Sequence, residues 1–323
     1  MKEISKKSAK ETHNSLKKLW DKSISYHKKY MNPITNLFDM KYLELRNCPV
    51  CEKNDYRHLF VKEGGVYVRC DQCNMVYLNP VFNDHALSDF YTNNHPMQAE
   101  IVENDSDFYT RIYSEGFSLT KIHLKNNSNI LDIGCSSGIF LDIVKKKGFN
   151  NTYGIELNKA EAKFAEKKGH KIYQDHIENI SFDKEFDLIT LWDVFEHIKN
   201  GKIYLEKIRS LLSRNGLIFI QVPSSASLAA RIMQAKCNMY DGLEHVNLYN
   251  PDNIKILAEK SGFKIIELKT VISELSVLSN YLNYKDPYMG DSPFADNLFS
   301  IISEKEIHKN LLGYKMQVVL KAN

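Results

Sequence analysis

Four cysteines at positions 48, 51, 70 and 73 stand in two CxxC pairs, Cys48-Pro-Val-Cys51 and Cys70-Asp-Gln-Cys73, separated by 18 residues. Each pair can turn two thiolates toward one centre, and four thiolates in a tetrahedron are a ligand set that suits zinc. A closed set leaves no open coordination position, so the role expected of Zn2+ here is structural. The segment 47–80 is too short for much core of its own. Structural zinc can contribute on the order of 10 kcal/mol to the folding of such a piece. Iron takes similar ligands, and four buried cysteines without metal are the blander alternative.

A second set follows about 60 residues later: Asp132-Ile-Gly134-Cys135-Ser136-Ser-Gly138. A Gly-bearing turn between a strand and a helix lets the backbone approach a ligand closely. The helix N-terminus beyond it favours negative charge. Glu156 lies 22 residues after Gly134, at the end of the next strand, where a carboxylate can accept from both hydroxyls of a ribose. The nicotinamide fingerprint G-x-G-x-x-G is absent, which favours a cofactor without a pyrophosphate. Ser136, as a non-glycine in this turn, is expected in an ordinary backbone conformation.

Two Glu-His pairs, Glu196-His197 and Glu244-His245, could move protons, since histidine titrates near neutral pH. Asp193, Glu196 and His197 have i, i+3, i+4 spacing and could share one helical face, open to a divalent metal. The blander alternatives are a His245 that caps or packs the following helix and a structural His197. Cys135 and Cys237 also read as packing residues.

The elements that must hold these groups alternate. Strands are expected at 129–133, 152–156, 171–173, 186–192, 216–222, 263–268 and 314–320, and helices at 138–147, 159–168, 203–212 and 254–261. Such alternation means a doubly wound, largely parallel sheet. Residues 1–46 read as a basic helical extension, with Leu16, Leu19, Trp20, Ile24 and His27 on one docked face. Residues 47–80 form the cysteine module and 81–125 a helical linker or cap. Residues 126–323 form the main domain, with an insertion at 272–312. Phe90, Tyr91, Phe108, Tyr109 and Tyr113, with Tyr281, Tyr284 and Tyr288, could line a pocket, although core is the commoner fate of aromatics.

The stretch 129–141 resembles the first motif of class I S-adenosylmethionine (SAM) methyltransferases. Gly154-Ile-Glu156, the run from Phe186 to His197, and Leu211 to Pro223 with Asn215-Gly216 resemble their following motifs, in order. The resemblance covers about half the chain. It implies an α/β, Rossmann-like doubly wound seven-stranded sheet with strand seven antiparallel, beside a small zinc-ribbon-like module. It implies that Asp132, Gly134, Cys135 and Gly138 shape the site for the methionine part of SAM. Glu156 would hold the ribose, Asp175 would face the adenine amine, and Trp192 would pack near the cofactor. The preceding zinc module is similar to that of bacterial sugar and polysaccharide methyltransferases. One ribosomal RNA methyltransferase family also carries such a module.

The segment from Tyr240 to Tyr249 resembles the Glu-His segment of those sugar enzymes. This implies His245 as general base, with Glu244 as an orienting or sugar-binding carboxylate; His197 stands as a further catalytic candidate. Relatives that make C-methyl sugars carry a large further domain not seen in this sequence, so O-methylation is expected. The Asp193–His197 segment is similar to that of quinone-type O-methyltransferases that use a divalent metal, though metal-free relatives share its letters.

Charge narrows the partners. Residues 1–46 hold 11 Lys/Arg against 5 Asp/Glu, a net +6, and the rest hold 32 against 35, a net −3. RNA-binding proteins usually show a broad basic face, so an RNA methyltransferase that grips RNA with the module and arm is the alternative rather than the lead. No Asn/Asp-Pro-Pro-Tyr/Phe tetrapeptide, common in base amino-group methylases, follows the 186–192 strand. A non-catalytic SAM- or zinc-binding protein is a further alternative. The expected partner is a small-molecule or glycan acceptor. No stretch approaches the ~20 apolar residues of a membrane span. No signal peptide is seen, and paired CxxC cysteines without one point to the cytoplasm.

Overall fold

Buried β-branched and aromatic runs build the centre of the molecule. The computed structural model describes residues 24–93, 106–283 and 302–323. The strands are β1 (Leu43–Glu44), β2 (Tyr56–Lys62), β3 (Gly65–Cys70), β4 (Val76–Leu78), β5 (Val81–Phe82), β6 (Ile130–Ile133), β7 (Thr152–Ile155), β8 (Lys171–Tyr173), β9 (Phe186–Trp192), β10 (Leu212–Pro223), β11 (Asn247–Leu248), β12 (Phe263–Val271) and β13 (Lys315–Ala322). The helices are α1 (Asp84–Asn93), α2 (Ser106–Lys121), α3 (Ile139–Lys146), α4 (Lys159–Lys167), α5 (Gly201–Arg209), α6 (Leu228–Met233), α7 (Pro251–Lys260), α8 (Leu275–Asn283) and α9 (Glu304–Lys309).

Seven strands form one sheet in the order β12-β13-β10-β9-β6-β7-β8. The pairs among β6, β7, β8, β9 and β10 are parallel, whereas β13 runs antiparallel to both β10 and β12. The fold is therefore the Rossmann-like α/β arrangement expected, with its last strand antiparallel. All four residues of β6 are buried, as a strand covered on both faces requires. The chain leaves β6 for β7 on one side and reaches β9 on the other. That reversal opens a crevice at the carboxyl ends of β6 and its neighbours, where ligands bind in open α/β sheets.

Caps set the helix positions. The side chain of Asn158 accepts from the amides of Ala160 and Glu161 to open α4. Asn250 and Asn253 form a reciprocal capping box at α7, with Pro251 in its first turn. Asn200 starts α5 at Gly201, and the helix ends at Arg209 rather than Leu212, because β10 begins at Leu212. Strand β10 also carries Pro223, paired with Lys315, so the proline ends the strand from within. The 81–125 segment is not uniformly helical. Val81–Phe82 pair with Leu43–Glu44 before α1 starts.

The cysteine segment builds a four-stranded sheet in the order β11-β4-β3-β2. Its fourth strand comes from far along the chain: Asn247 pairs with Tyr77 and Leu248 with Val76. The residues that follow the Glu244-His245 pair are thus part of the cysteine module's sheet.

At the N-terminal arm, His27 is buried and its ring lies 5.7 Å from Phe38 and 6.0 Å from Phe90. Leu16, Leu19, Trp20, Tyr284 and Tyr288 lie outside the described residues. Phe90 is core, and Tyr281 packs with the cluster around Met233 and Leu278.

Candidate active site

The turn after β6 is shaped by backbone geometry. Gly134 has φ +72° and Gly138 φ +79°, the left-handed region that glycine enters freely. A Cβ on Gly138 would also lie 2.9 Å from the His170 ring. Ser136 departs from expectation. Its φ is +47°, so a non-glycine sits in the left-handed region rather than in an ordinary conformation. Its amide donates to Glu156 Oε2 at 2.8 Å, which holds the turn there. Glu156 Oε1 accepts from the Asn158 amide at 2.7 Å. Burial, as the first cause, raises the Glu156 carboxyl.

Cys135 is buried, and its Sγ fills the space over Gly154, where a Cβ would lie 2.4 Å away. The amides of Gly134 and Cys135 both donate to Ile155 O. Asp132 is buried and accepts from Thr190 Oγ1 at 2.6 Å. Burial pushes its carboxyl up to about 8. Asp175 is exposed, and its Oδ1 accepts from the His176 amide and Asn179 Nδ2. Trp192 lies in a wall of rings, with centroids 4.7 Å from Tyr113, 5.2 Å from Phe140 and 4.3 Å from Phe219. Its Nε1 is buried without a hydrogen-bond partner.

Beyond β9 the chain does not form the helical face expected of Asp193, Glu196 and His197. Asp193 has φ +54°, and only Phe195–His197 form a 3-10 turn. Asp193 Oδ2 is held by the Lys315 ammonium and by Gln221 Nε2 at 3.0 Å. Gln317 Nε2 then donates to Gln221 Oε1 at 2.9 Å, extending the chain across β13. Lys315 therefore occupies the Asp193 carboxylate, one of the three groups that could have faced a divalent metal together. The lysine sits about 120 residues away in sequence, with no local pattern to announce it.

The two Glu-His pairs converge instead. The His197 and His245 rings meet edge to face with centroids 4.9 Å apart. One ligand atom each of Glu196, His197 and His245 lies within 4.8 Å of the others, close enough for one shared hydroxyl or ion. Glu196 is fully buried, and neither of its oxygens nor His197 Nδ1 has a hydrogen-bond partner. Burial, then the nearby Asp193 charge, holds the Glu196 carboxyl well above its ordinary range. Burial, then His245, lowers His197 to about 4. Burial, then Asp241, raises Glu244 to about 8.

His245 is set by its own loop. Its Nδ1 lies 2.7 Å from Met239 O. A carbonyl only accepts, so Nδ1 carries a proton, and in the neutral imidazole the lone pair lies on Nε2. Asp241, a residue the sequence reading passed over, accepts from the amides of Leu243, Glu244 and His245 at 2.9–3.1 Å. A carboxylate holding three amides could have been suspected from Asp-Gly just before the pair, a common turn signal. Burial, then the charges of Asp132 and Asp193, raise the Tyr113 hydroxyl well above its ordinary range.

The four module thiols also gather. Cys48 Sγ lies 3.5 Å from Cys73 Sγ and Cys51 Sγ lies 3.4 Å from Cys70 Sγ, with all four within 4.8 Å. Each pair is followed by a left-handed residue, Glu52 at φ +67° and Asn74 at φ +59°. The Glu52 amide donates to Cys48 O and the Asn74 amide to Cys70 O, so both turns close in the same way. Among the described residues no helix is long and apolar enough to cross a membrane.

A family model described as a methyltransferase domain matches residues 107–268. An uncharacterized protein of Methanocaldococcus jannaschii is 28% identical over 166 residues, covering 51% of this chain and 78% of that protein. The mitochondrial ubiquinone biosynthesis O-methyltransferase of Dictyostelium discoideum is 25% identical over 137 residues, or 37% of this chain, and the match spans only 43% of that enzyme. The (S)-tetrahydroprotoberberine N-methyltransferase of Eschscholzia californica is 26% identical over 108 residues, 31% of each chain. Among solved structures, a plantazolicin methyltransferase in complex with SAH has a TM-score of 0.47 at 21% identity, covering 70% of this chain and 89% of that one.

Proposed function

The chain belongs to the methyltransferase-domain family and is a SAM-dependent methyltransferase, and we propose that it methylates a hydroxyl of a sugar, nucleotide-sugar or surface-polysaccharide precursor. The observation that carries the reading is His245. Its Nδ1–H is committed to Met239 O, which leaves Nε2 as a proton acceptor beside the unpartnered polar atoms of Glu196 and His197. Buried polar groups without partners favour a ligand rich in hydroxyls, which can donate to and accept from them.

Bound SAM supplies an electrophilic methyl carbon. The residues around the β6 turn fit it. The Gly134 and Gly138 conformations keep the turn low, and the Glu156 carboxylate suits ribose hydroxyls. Asp132 offers an acid that a nearby cation would return to its charged form. We assign Asp175 to the adenine side and Trp192 to the wall behind the cofactor. At the acceptor end, His245 Nε2 would take the hydroxyl proton while the methyl group passes to the oxygen, its bond to the sulfonium breaking to leave a neutral thioether, and Asp241 keeps the loop in register. Glu244 orients the sugar, and His197, held neutral, accepts or donates a hydrogen bond without competing for the proton.

We read the four thiols as a structural zinc site. A tetrahedron with Zn–S of about 2.3 Å has edges of about 3.8 Å, near the 3.4 and 3.5 Å contacts found. Such thiolates belong in a reducing compartment, in keeping with a cytoplasmic location.

The test is transfer of label from methyl-labelled SAM into a host extract separated into RNA, protein, and sugar or small-molecule fractions. Label in the sugar fraction that disappears in His245→Ala supports the reading. Label in RNA would overturn it and make the cysteine module and basic arm an RNA grip.

A further inference from the structure

Both Glu-His turns are held from outside the methyltransferase sheet. Arg46, two residues before the first module cysteine, sends its guanidinium into the space between them. Nη1 donates to Lys199 O at 3.0 Å, and Nη2 donates to Val246 O at 2.7 Å and Asn247 Oδ1 at 2.9 Å. Its Nε donates to Leu78 O on β4 at 3.1 Å. Lys199 follows His197 by two residues and Val246 follows His245 by one. Asn247 completes the tie, donating from Nδ2 to Ile198 O at 2.6 Å. The partners of this cation are neutral oxygens, and they come from the module and from both histidine segments. A planar fork can hold several carbonyls at fixed angles, which a lysine cannot.

Tyr67, on β3 of the module, makes a second tie. Its hydroxyl donates to His245 O at 3.1 Å and accepts from the Gly242 amide at 3.3 Å. The contact is intimate: a Cβ on Gly65 would fall 1.9 Å from Gly242 O, and one on Gly242 would fall 2.0 Å from Lys62 O. Tyr67 is fully buried against Tyr240, with ring centroids 5.0 Å apart.

We propose that Arg46 and Tyr67 are positioning residues for methyl transfer, through which the cysteine module fixes the backbone of the His197 and His245 turns. The module is then part of the acceptor side of the active site without touching the acceptor. The proposal rests on the reading of His245 as the base, but positioning is measured without any acceptor, so the two can fail separately.

The experiment is long-range 1H–15N spectroscopy of the imidazoles in the full-length, metal-loaded protein, in Arg46→Lys and in Tyr67→Phe, with metal content and SAM affinity measured on each. The wild type is expected to hold His245 in the Nδ1–H form. Loosening its loop by about the strength of one hydrogen bond should shift the tautomer ratio roughly tenfold toward Nε2–H. That shift, with metal content and SAM affinity kept and exposed His123 unmoved, supports the proposal. Unchanged His245 and His197 signals in Tyr67→Phe, the mildest variant, would overturn it. Loss of metal or SAM binding together with the signals would also overturn it, by reducing both residues to general architecture.

Discussion

His197 and His245 meet edge to face with ring centroids 4.9 Å apart, although 48 residues separate them in the chain. The surroundings of the two rings differ. Burial, and then the neighbouring His245, keeps His197 at about 4, so it stays neutral near pH 7. The Met239 carbonyl fixes the His245 proton on Nδ1 and leaves Nε2 to take another. His245→Gln should therefore lower the transfer rate by roughly 10²–10⁴-fold, the usual contribution of a positioned base. SAM affinity should stay unchanged, because the loss concerns the acceptor side. Single-turnover label transfer beside calorimetric SAM titration separates the two quantities.

The sheet was legible because its strands are short, apolar and separated by helical periodicity, a pattern that survives in one dimension. The glycine turn after β6 was legible because glycines at fixed spacing have a local cause. Local spacing failed at Asp193. Its i, i+3, i+4 relation to Glu196 and His197 suggested a helix face, but the chain enters the left-handed region at Asp193, whose carboxylate pairs with Lys315 from the last strand. Ser136 failed for a related reason, since its amide donates to Glu156, just past the next strand, while the residue sits where glycine is the usual choice. The meeting of His245 with His197 depends on β11 joining the cysteine module's sheet, a long-range pairing of two residues that carries almost no sequence signal.

Asp132 gives a pH prediction. Burial raises its carboxyl from an ordinary 3.8 to about 8. Below pH 8 the folded, free protein mostly holds this proton, whereas SAM, cationic at its sulfonium and ammonium, favours the carboxylate. SAM binding should release up to one proton below pH 8. Its affinity should rise with pH by up to tenfold per unit and level off above about 8. The sign for stability is opposite. The unfolded chain binds fewer protons at this site between pH 3.8 and about 8, so Asp132 destabilises the free protein as pH rises through that window. Calorimetric titration in buffers of different ionisation enthalpy reads the proton release. A pH-independent affinity that Asp132→Asn does not change would place the carboxylate away from the cofactor.

Cys70→Ser should take the zinc content from one per chain to none and unfold the module, since thiolate zinc supplies on the order of 10 kcal/mol to such segments. The effect should not stop at the cysteines. Asn247 and Leu248 pair with Tyr77 and Val76, so their amides should lose protection when the module opens, while the β6 and β9 amides keep theirs. Hydrogen exchange with mass detection reads both regions in one experiment. Full metal content in Cys70→Ser would remove Cys70 from the ligand set.

Gly116 tests the contact between α2 and the sheet. It lies inside a helix, where glycine is destabilising by roughly 0.5–1 kcal/mol relative to alanine. Propensity alone therefore predicts that Gly116→Ala stabilises the protein. Packing predicts the reverse. The new Cβ would fall 2.5 Å from Trp192 Cη2 and 2.8 Å from Phe219 Cζ, both in a filled cluster. Forcing an extra carbon into a packed core costs about 1–3 kcal/mol. The net expectation is a loss of about 1–2 kcal/mol by denaturant unfolding, packing outweighing propensity. Tyr113, three residues earlier on α2, meets the same Trp192 ring edge to face, so the substitution should weaken SAM binding as well as stability. A more stable Gly116→Ala would mean that α2 does not rest on Trp192.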